Sequence, residues 1–250
     1  MRWVLVLIAA LLSAVARADT VNVAVAANFA APAKALAQIL RQTTGHTASL
    51  SFGATGTFTA QIENGAPFDV LMAADAKSPA RLEAQGLVVA GSSLTYAVGR
   101  LALWSAQPGL VDDQGQVLSG GRFGKLAIAN PKLAPYGAAA LQTLEKLSLA
   151  AQLQPKLVLG ESIGQTYQFV ASGNASLGFV ALSQVMAGGK LTTHGSSWVV
   201  PDELHAPITQ DAVLLRHGAN NPAARAWMAL LRAPAGQDLI RGYGYAVPDH

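Results

Sequence analysis

Apolar and polar positions alternate along the chain in two rhythms. "VNVAVAA" (residues 21–27) is a short β-branched run that reads as a buried strand. The next stretch, "NFAAPAKALAQILRQTTG", places Phe29, Ala33, Leu36, Ile39 and Leu40 at helical spacing, with Lys34, Gln38, Arg41 and Gln42 opposite. Asn28 suits an N-cap and Gly45 a C-terminal cap. Pro32 has no N–H to donate, which puts the helix start within a residue or two of Phe29. The same pairing recurs. Strand "ASLSF" precedes helix "TGTFTAQIENG", and strand "FDVLMAA" precedes helix "DAKSPARLEAQG", opened by Asp75. Strand "KLAIAN" precedes helix "AAALQTLEKLSL", and strand "KLVLG" precedes helix "IGQTYQFVASG", with strand "SLGFVA" after it.

Strands alternating with helices predict parallel sheets covered by helices, an α/β fold. More than 200 residues of this pattern predict two lobes. "SLTYAVGRLALWS" (residues 93–105) is long enough to run from one lobe into the other, and a second crossing is expected near 196–203. Helices around 222–232 and 236–242 would complete the first lobe. The expected division is 19–98 with 201–250 as lobe 1 and 99–200 as lobe 2. Hinge strands would lie near 98–104 and 197–201.

The first eighteen residues stand outside this pattern. Arg2, the apolar run from Trp3 to Val15 and "ARA" ahead of Asp19 read as a secretory signal, cut after Ala18. The run is too short to span a bilayer. The formal net charge is +3, but Arg2 and Arg17 leave with the signal, so 15 basic residues face 14 acidic ones. With no basic cluster, nucleic acid is not an expected partner. The chain has no cysteine, which excludes a thiol nucleophile, a cysteine-bound metal and a lipidated cysteine after the signal. With 51% hydrophobic and 12% charged residues, the mature chain is expected to be compact and free in the periplasm.

Candidate chemistry sits at four strand-to-helix junctions: "AANF" (26–29), "SFGATGTF" (51–58), "NPKLAPYG" (130–137) and "ESIGQT" (161–166). In open α/β sheets ligands bind beyond the carboxyl ends of strands. Helix starts there offer unpaired N–H groups and partial positive charge, an anion site that needs no Lys or Arg. Gly53, Gly56, Gly137 and Gly164 would let a ligand approach the backbone. Any one junction could equally be an ordinary cap or packing turn. Two uncharged junctions in each lobe carry more weight than one.

"GESIG" matches G-x-S-x-G, the nucleophile elbow of α/β-hydrolases, with Asp202 or Glu203 and His205 or His217 downstream. Ser162 also suits an N-cap, and no H-G-G-G-type oxyanion motif is present. The five histidines are scattered, so a metal site is not expected. There is no G-x-x-x-x-G-K-[ST] phosphate loop. Trp104, Trp198 and Trp227 lie in apolar surroundings and are expected in the core.

"VNVAVAANF", "SFGATGTFTAQIENGAPFDVLMAADAKSP", "LALWSAQPGLVDDQGQVL", "NPKLAPYG" and "SLGFVALSQV" together resemble the periplasmic molybdate-binding proteins of ABC transporters. The resemblance spans essentially the whole mature chain. It implies a two-lobe periplasmic-binding-protein fold of type II with two crossover strands. It also implies capture of a tetrahedral oxyanion, molybdate and by extension tungstate, by a monomer that delivers it to an inner-membrane ABC permease. No catalysis and no cofactor are implied. Matched position by position, the oxyanion contacts are Asn28 with Ala27 beside it, Thr55, Tyr136 in the P-Y-G turn, and the backbone N–H of Ile163. Some members carry a tyrosine after L-G-x-V; here that position is Ala181, and Tyr136 would supply the hydroxyl instead.

The chemistry of the anion agrees. Molybdate, tungstate and sulfate carry no proton at neutral pH, so their site should offer donors only. Hydrogen phosphate would favour a carboxylate acceptor, so Glu161 is expected to point away. Hydrogen bonds to a charged group contribute roughly 1.5–3 kcal/mol each, and four or more reach micromolar affinity, about −8 kcal/mol. Thr55→Val is expected to weaken binding with little effect on folding. Two other readings stand beside molybdate capture: a sulfate or other oxyanion binder, and a serine hydrolase using Ser162.

Overall fold

The computed structural model describes residues 18–187, 190–192 and 194–248. Of the expected signal segment, residues 1–18, the first seventeen lie outside them. Along the chain come β1 (Thr20–Ala26), α1 (Ala30–Thr44), β2 (Thr47–Gly53), α2 (Thr55–Glu63), β3 (Val70–Met72), α3 (Lys77–Ala84), β4 (Leu94–Gly99) and β5 (Leu101–Ser105). Then follow α4 (Val117–Gly120), β6 (Leu126–Ala129), α5 (Pro135–Lys146), α6 (Ala150–Leu153), β7 (Leu157–Gly160), α7 (Ile163–Ala171), β8 (Leu177–Ala181) and α8 (Leu182–Val185). A small hairpin, β9 (Met186–Ala187) and β10 (Lys190–Leu191), leads to β11 (Ser196–Val199), β12 (Ile208–Leu214), α9 (Pro222–Arg232) and α10 (Pro234–Gly242).

Two five-stranded sheets organise these elements, ordered β2-β1-β3-β12-β4 and β7-β6-β8-β5-β11. Each has three parallel strands followed by one antiparallel strand. That antiparallel strand is in each case the one arriving from the other sheet. β4 and β5 are separated only by Arg100, so a single β run passes between lobes, as the 93–105 pattern predicts. The return differs from expectation. Pairing in the second sheet continues through Val200, whose N–H donates to the Leu101 carbonyl at 3.0 Å, and the first sheet resumes at Ile208. The passage therefore occupies residues 200–207. β12 itself was not anticipated, because its polar Thr209, Gln210 and Asp211 obscure the strand pattern.

β1, β3, β6 and β8 are largely buried on both faces, which explains their continuous apolar sequence, whereas the edge strands β2 and β7 are partly exposed. β1 buries every residue from Val23 to Ala26. On one face of the first sheet, Phe29, Leu36 and Leu40 pack with Trp227 and Ile240, so α9 and α10 close that lobe. The second lobe has its own core around Leu103, Leu126, Leu144, Leu177 and Phe179. Trp104, Trp198 and Trp227 are all buried, as their apolar surroundings suggested.

Candidate functional site

The loops that leave β1, β2, β6 and β7 all run into helices at the boundary between the lobes. Ala27, Asn28, Ala54, Thr55, Tyr136 and Ile163 line one small cleft there. The four junctions singled out in the sequence are thus brought together. No Asp, Glu, Lys, Arg or His lines this cleft among the described residues. A wider groove opens beside it and is different in kind, carrying Glu63, Asp75, Lys77, Arg81 and Lys132. Glu161 is exposed and lines neither space.

Three of the junctions are true helix starts. Thr55 opens α2, Tyr136 is the second residue of α5, and Ile163 opens α7. First-turn N–H groups have no intrahelical acceptor, and three positive helix ends converge on the cleft. Pro135 at the start of α5 costs nothing, because its missing N–H would be unpaired anyway. Ser162 caps α7, its hydroxyl accepting from the Gln165 N–H at 3.3 Å. That is the capping role, and the histidines proposed as partners bond elsewhere. His205 Nδ1 meets its neighbour's carbonyl at Ala206, and His217 Nδ1 meets Asp69 Oδ1 at 2.8 Å. Asp75, as expected, holds the start of α3 by accepting from the Ser78 N–H at 2.7 Å.

The fourth junction departs from expectation. Asn28 is not an N-cap: it sits in a 3₁₀ turn (Ala27–Phe29), and α1 begins at Ala30. Its buried side chain points into the protein, where Nδ2 donates to Gln210 Oε1 at 2.7 Å and to the Tyr245 hydroxyl at 2.9 Å. Phe29 fixes the turn, its ring 4.8 Å from that of Tyr96 and 5.3 Å from that of Tyr245. Thr55 also has a second bond. Its Oγ1 accepts from the Ala74 N–H at 3.0 Å, leaving the hydroxyl proton free to donate. Removing that oxygen would strand a buried N–H, so Thr55→Val must cost stability, contrary to the expectation from sequence.

Tyr136 is buried, and its hydroxyl accepts from Gln210 Nε2 at 3.2 Å. Burial drives the Tyr136 and Tyr96 phenols well above their usual range and that of Tyr245 up to about 12. All three stay protonated at neutral pH and can donate. Two of the glycines also face the opposite lobe. A Cβ at Gly56 would lie 3.1 Å from the Leu133 carbonyl oxygen, and one at Gly164 would lie 3.2 Å from Ala27 Cβ. These contacts cross between lobes, so the missing side chains admit the opposite lobe. The Gly56 N–H donates across the cleft to Leu133 O at 2.9 Å, and the Ser183 hydroxyl does the same to Asn28 O at 2.9 Å. The lobes are closed on each other.

Sequence reading missed Gln210, Tyr245, Tyr96 and Ser183. None left a local signal; Gln210 lies between polar Thr209 and Asp211.

Residues 21–246 match the profile of a family described as bacterial extracellular solute-binding proteins. The molybdate-binding protein ModA of Azotobacter vinelandii is 56% identical over 246 residues, covering 98% of this chain and 97% of the relative. That of Rhodobacter capsulatus is 51% identical, covering 92% and 89%. Among solved structures, the periplasmic molybdate-binding protein of Azotobacter vinelandii superposes with a TM-score of 0.88 at 42% identity, covering 92% of this chain and all of that one.

Proposed function

The chain belongs to the family of bacterial extracellular solute-binding proteins, with a two-lobe type II fold, and on that premise we propose that it captures molybdate between its lobes. The observation that supports this best is the uncharged cleft where four strand-to-helix junctions meet. A fully deprotonated tetrahedral oxyanion needs hydrogen-bond donors and positive helix ends, and it is repelled by a carboxylate. The cleft supplies the first two and lacks the third. The Thr55 hydroxyl, the Tyr136 backbone N–H, the Ile163 N–H and the Asn28 amide, with Ala27 beside it, form the donor set. Each charge-assisted bond contributes roughly 1.5–3 kcal/mol, so four offset the ordering cost and reach micromolar affinity or better.

Lobe 1 in this reading comprises 19–98 and 201–250 and lobe 2 comprises 99–200, with movement at Arg100 and in the return passage 200–207. Anion bridging the lobes favours the closed form. That form is what an inner-membrane ABC permease would accept from a periplasmic monomer. Tungstate, equally free of protons and tetrahedral, binds in the same way. The protein is a carrier, with no catalytic step and no cofactor. A thermal-shift series with molybdate, tungstate, sulfate and phosphate tests the reading. Stabilisation by molybdate and tungstate is expected, and stabilisation by sulfate alone would refute it.

A further inference from the structure

Gln210 is fully buried in the first sheet, on the strand that returns from the second lobe and lies between β3 and β4. Ile208, Ala212 and Val213 on the same strand are apolar core. A carboxamide at such a position needs partners for both its ends, and it finds them in Asn28, Tyr136 and Tyr96. The backbone is shaped for it. The pairing of β12 with β4 slips between Gln210 and Asp211, a bulge of the kind that re-aims a side chain. On β4 Gln210 pairs with Ala97, and two residues further on, at Gly99, a Cβ would lie 2.0 Å from the Tyr136 hydroxyl and 2.5 Å from Gln210 Nε2.

One atom in this network has no partner. Asn28 lines the cleft, and its Oδ1 is buried without a hydrogen bond. An acceptor there would oppose an anion. The oxygen and nitrogen of a carboxamide have nearly the same shape, and the surrounding network decides which is which. With both carboxamides turned over, the same heavy-atom pairs are complementary. Gln210 Nε2 donates to Asn28 Oδ1 across 2.7 Å, and the Tyr245 hydroxyl, its one proton turned away from the Asn28 carbonyl, donates to that oxygen across 2.9 Å, while Ser183 still donates to the carbonyl. The Tyr136 hydroxyl donates to Gln210 Oε1 across 3.2 Å, while Tyr96 keeps its bond to Ala73 O at 3.2 Å. The atom left without a protein partner is then Asn28 Nδ2, a donor.

We propose that Gln210 is a positioning residue for anion capture: in the loaded protein it donates to Asn28 Oδ1 and so holds the Asn28 amide N–H₂ towards the anion. The inference rests on molybdate capture as proposed above. Burial keeps the three phenols protonated, so each has a proton to donate in this orientation of the amides. Gln210 does not touch the anion; it sets the polarity of the residue that does.

The test is a double-mutant cycle read by titration calorimetry with molybdate on wild type, Gln210→Met, Asn28→Ala and the double variant. Each single change is expected to weaken binding by about tenfold or more, the scale of one lost charge-assisted hydrogen bond. The double variant should bind no more weakly than Asn28→Ala, because Gln210 acts through Asn28. Losses that multiply, or Gln210→Met within about twofold of wild type, would overturn the inference while leaving molybdate capture intact. No binding by wild type would overturn both. Should Gln210→Met fold poorly, the Asn28 side-chain amide signals of ¹⁵N-labelled wild type give the second reading, assigned by their loss in Asn28→Ala. They are expected to shift and slow in exchange when molybdate is added. Unchanged signals in a protein that binds would overturn the inference.

Discussion

In the first lobe the cleft is met by side chains, and in the second largely by helix ends. Asn28 and Thr55 reach it while their other atoms are tied into the first sheet, through Gln210, Tyr245 and the Ala74 N–H. Ile163 presents the start of α7, and Tyr136 stands in the first turn of α5 with its hydroxyl turned back to Gln210. The sheets share one strand order, so the difference lies in what each lobe places behind its junctions. In the first lobe the return strand β12 and the Tyr245 segment form a polar layer under Asn28. In the second, the equivalent strand β5 is apolar throughout, from Leu101 to Trp104, and packs as core. Side-chain donors can be removed by mutation; backbone donors can be removed only with the N–H itself.

That contrast can be broken most sharply at Ile163. Proline is tolerated at the first position of a helix, and the preceding Ser162 already has extended backbone (φ −143, ψ 166). Ile163→Pro should therefore fold but lose one charge-assisted bond, weakening molybdate binding by about ten- to a hundredfold in calorimetry. Ile163→Ala keeps the N–H and should bind within a few-fold of wild type, despite a lower melting temperature from the emptied core position. Equal losses in the two variants would show that the side chain, and not the backbone, matters there.

At Thr55 the first lobe should behave in the opposite way. Thr55→Val removes a donor to the anion and also strands the buried Ala74 N–H, costing about 1–3 kcal/mol of folding stability along with about tenfold in affinity. Thr55→Ser should retain both, and a Thr55→Val protein of unchanged stability would contradict the bond to Ala74. A smaller effect is expected at Gly56, where a Cβ would press on Leu133 of the other lobe at 3.1 Å. Gly56→Ala should impede closure and weaken binding by only a few-fold. Small-angle scattering would show less compaction on adding molybdate than in wild type.

The smallest effect near neutral pH, and the most diagnostic at high pH, concerns the phenols. Tyr96, Tyr136 and Tyr245 have folded-state values raised by burial. Their unfolded counterparts titrate near 10. Above that pH the unfolded chain releases protons that the folded chain retains, so folding stability is fully present below pH ~10 and falls as pH rises beyond it. Denaturant midpoints should stay flat from pH 7 to about 9 and drop above about 10. Tyr136→Phe should make that drop shallower, and an unchanged slope would mean that Tyr136 ionises freely.

Much of this was legible beforehand because it depends on local pattern. Strand-to-helix junctions are marked by the change from apolar runs to small and polar residues, and "SFGATGTF" and "NPKLAPYG" showed that change plainly. The crossing at 93–105 was legible because one β run was too long for one sheet. Asn28 was read as an N-cap, and instead it sits in a 3₁₀ turn. Its partners lie 182 and 217 residues away, and no local rule links them. β12 stayed hidden because a strand carrying a buried Gln210 breaks the apolar pattern at the position the site uses. The contacts that Gly56 and Gly164 make with the opposite lobe stayed hidden, since sequence shows a missing side chain without showing what approaches it.

The most direct test of the central claim is anomalous diffraction at the molybdenum edge from crystals grown with molybdate. A single strong peak in the small uncharged cleft, within hydrogen-bonding reach of Asn28, Thr55, Tyr136 and the Ile163 N–H, is the predicted result. A peak in the neighbouring groove beside Lys77, Arg81 and Lys132, or none between the lobes, would contradict it.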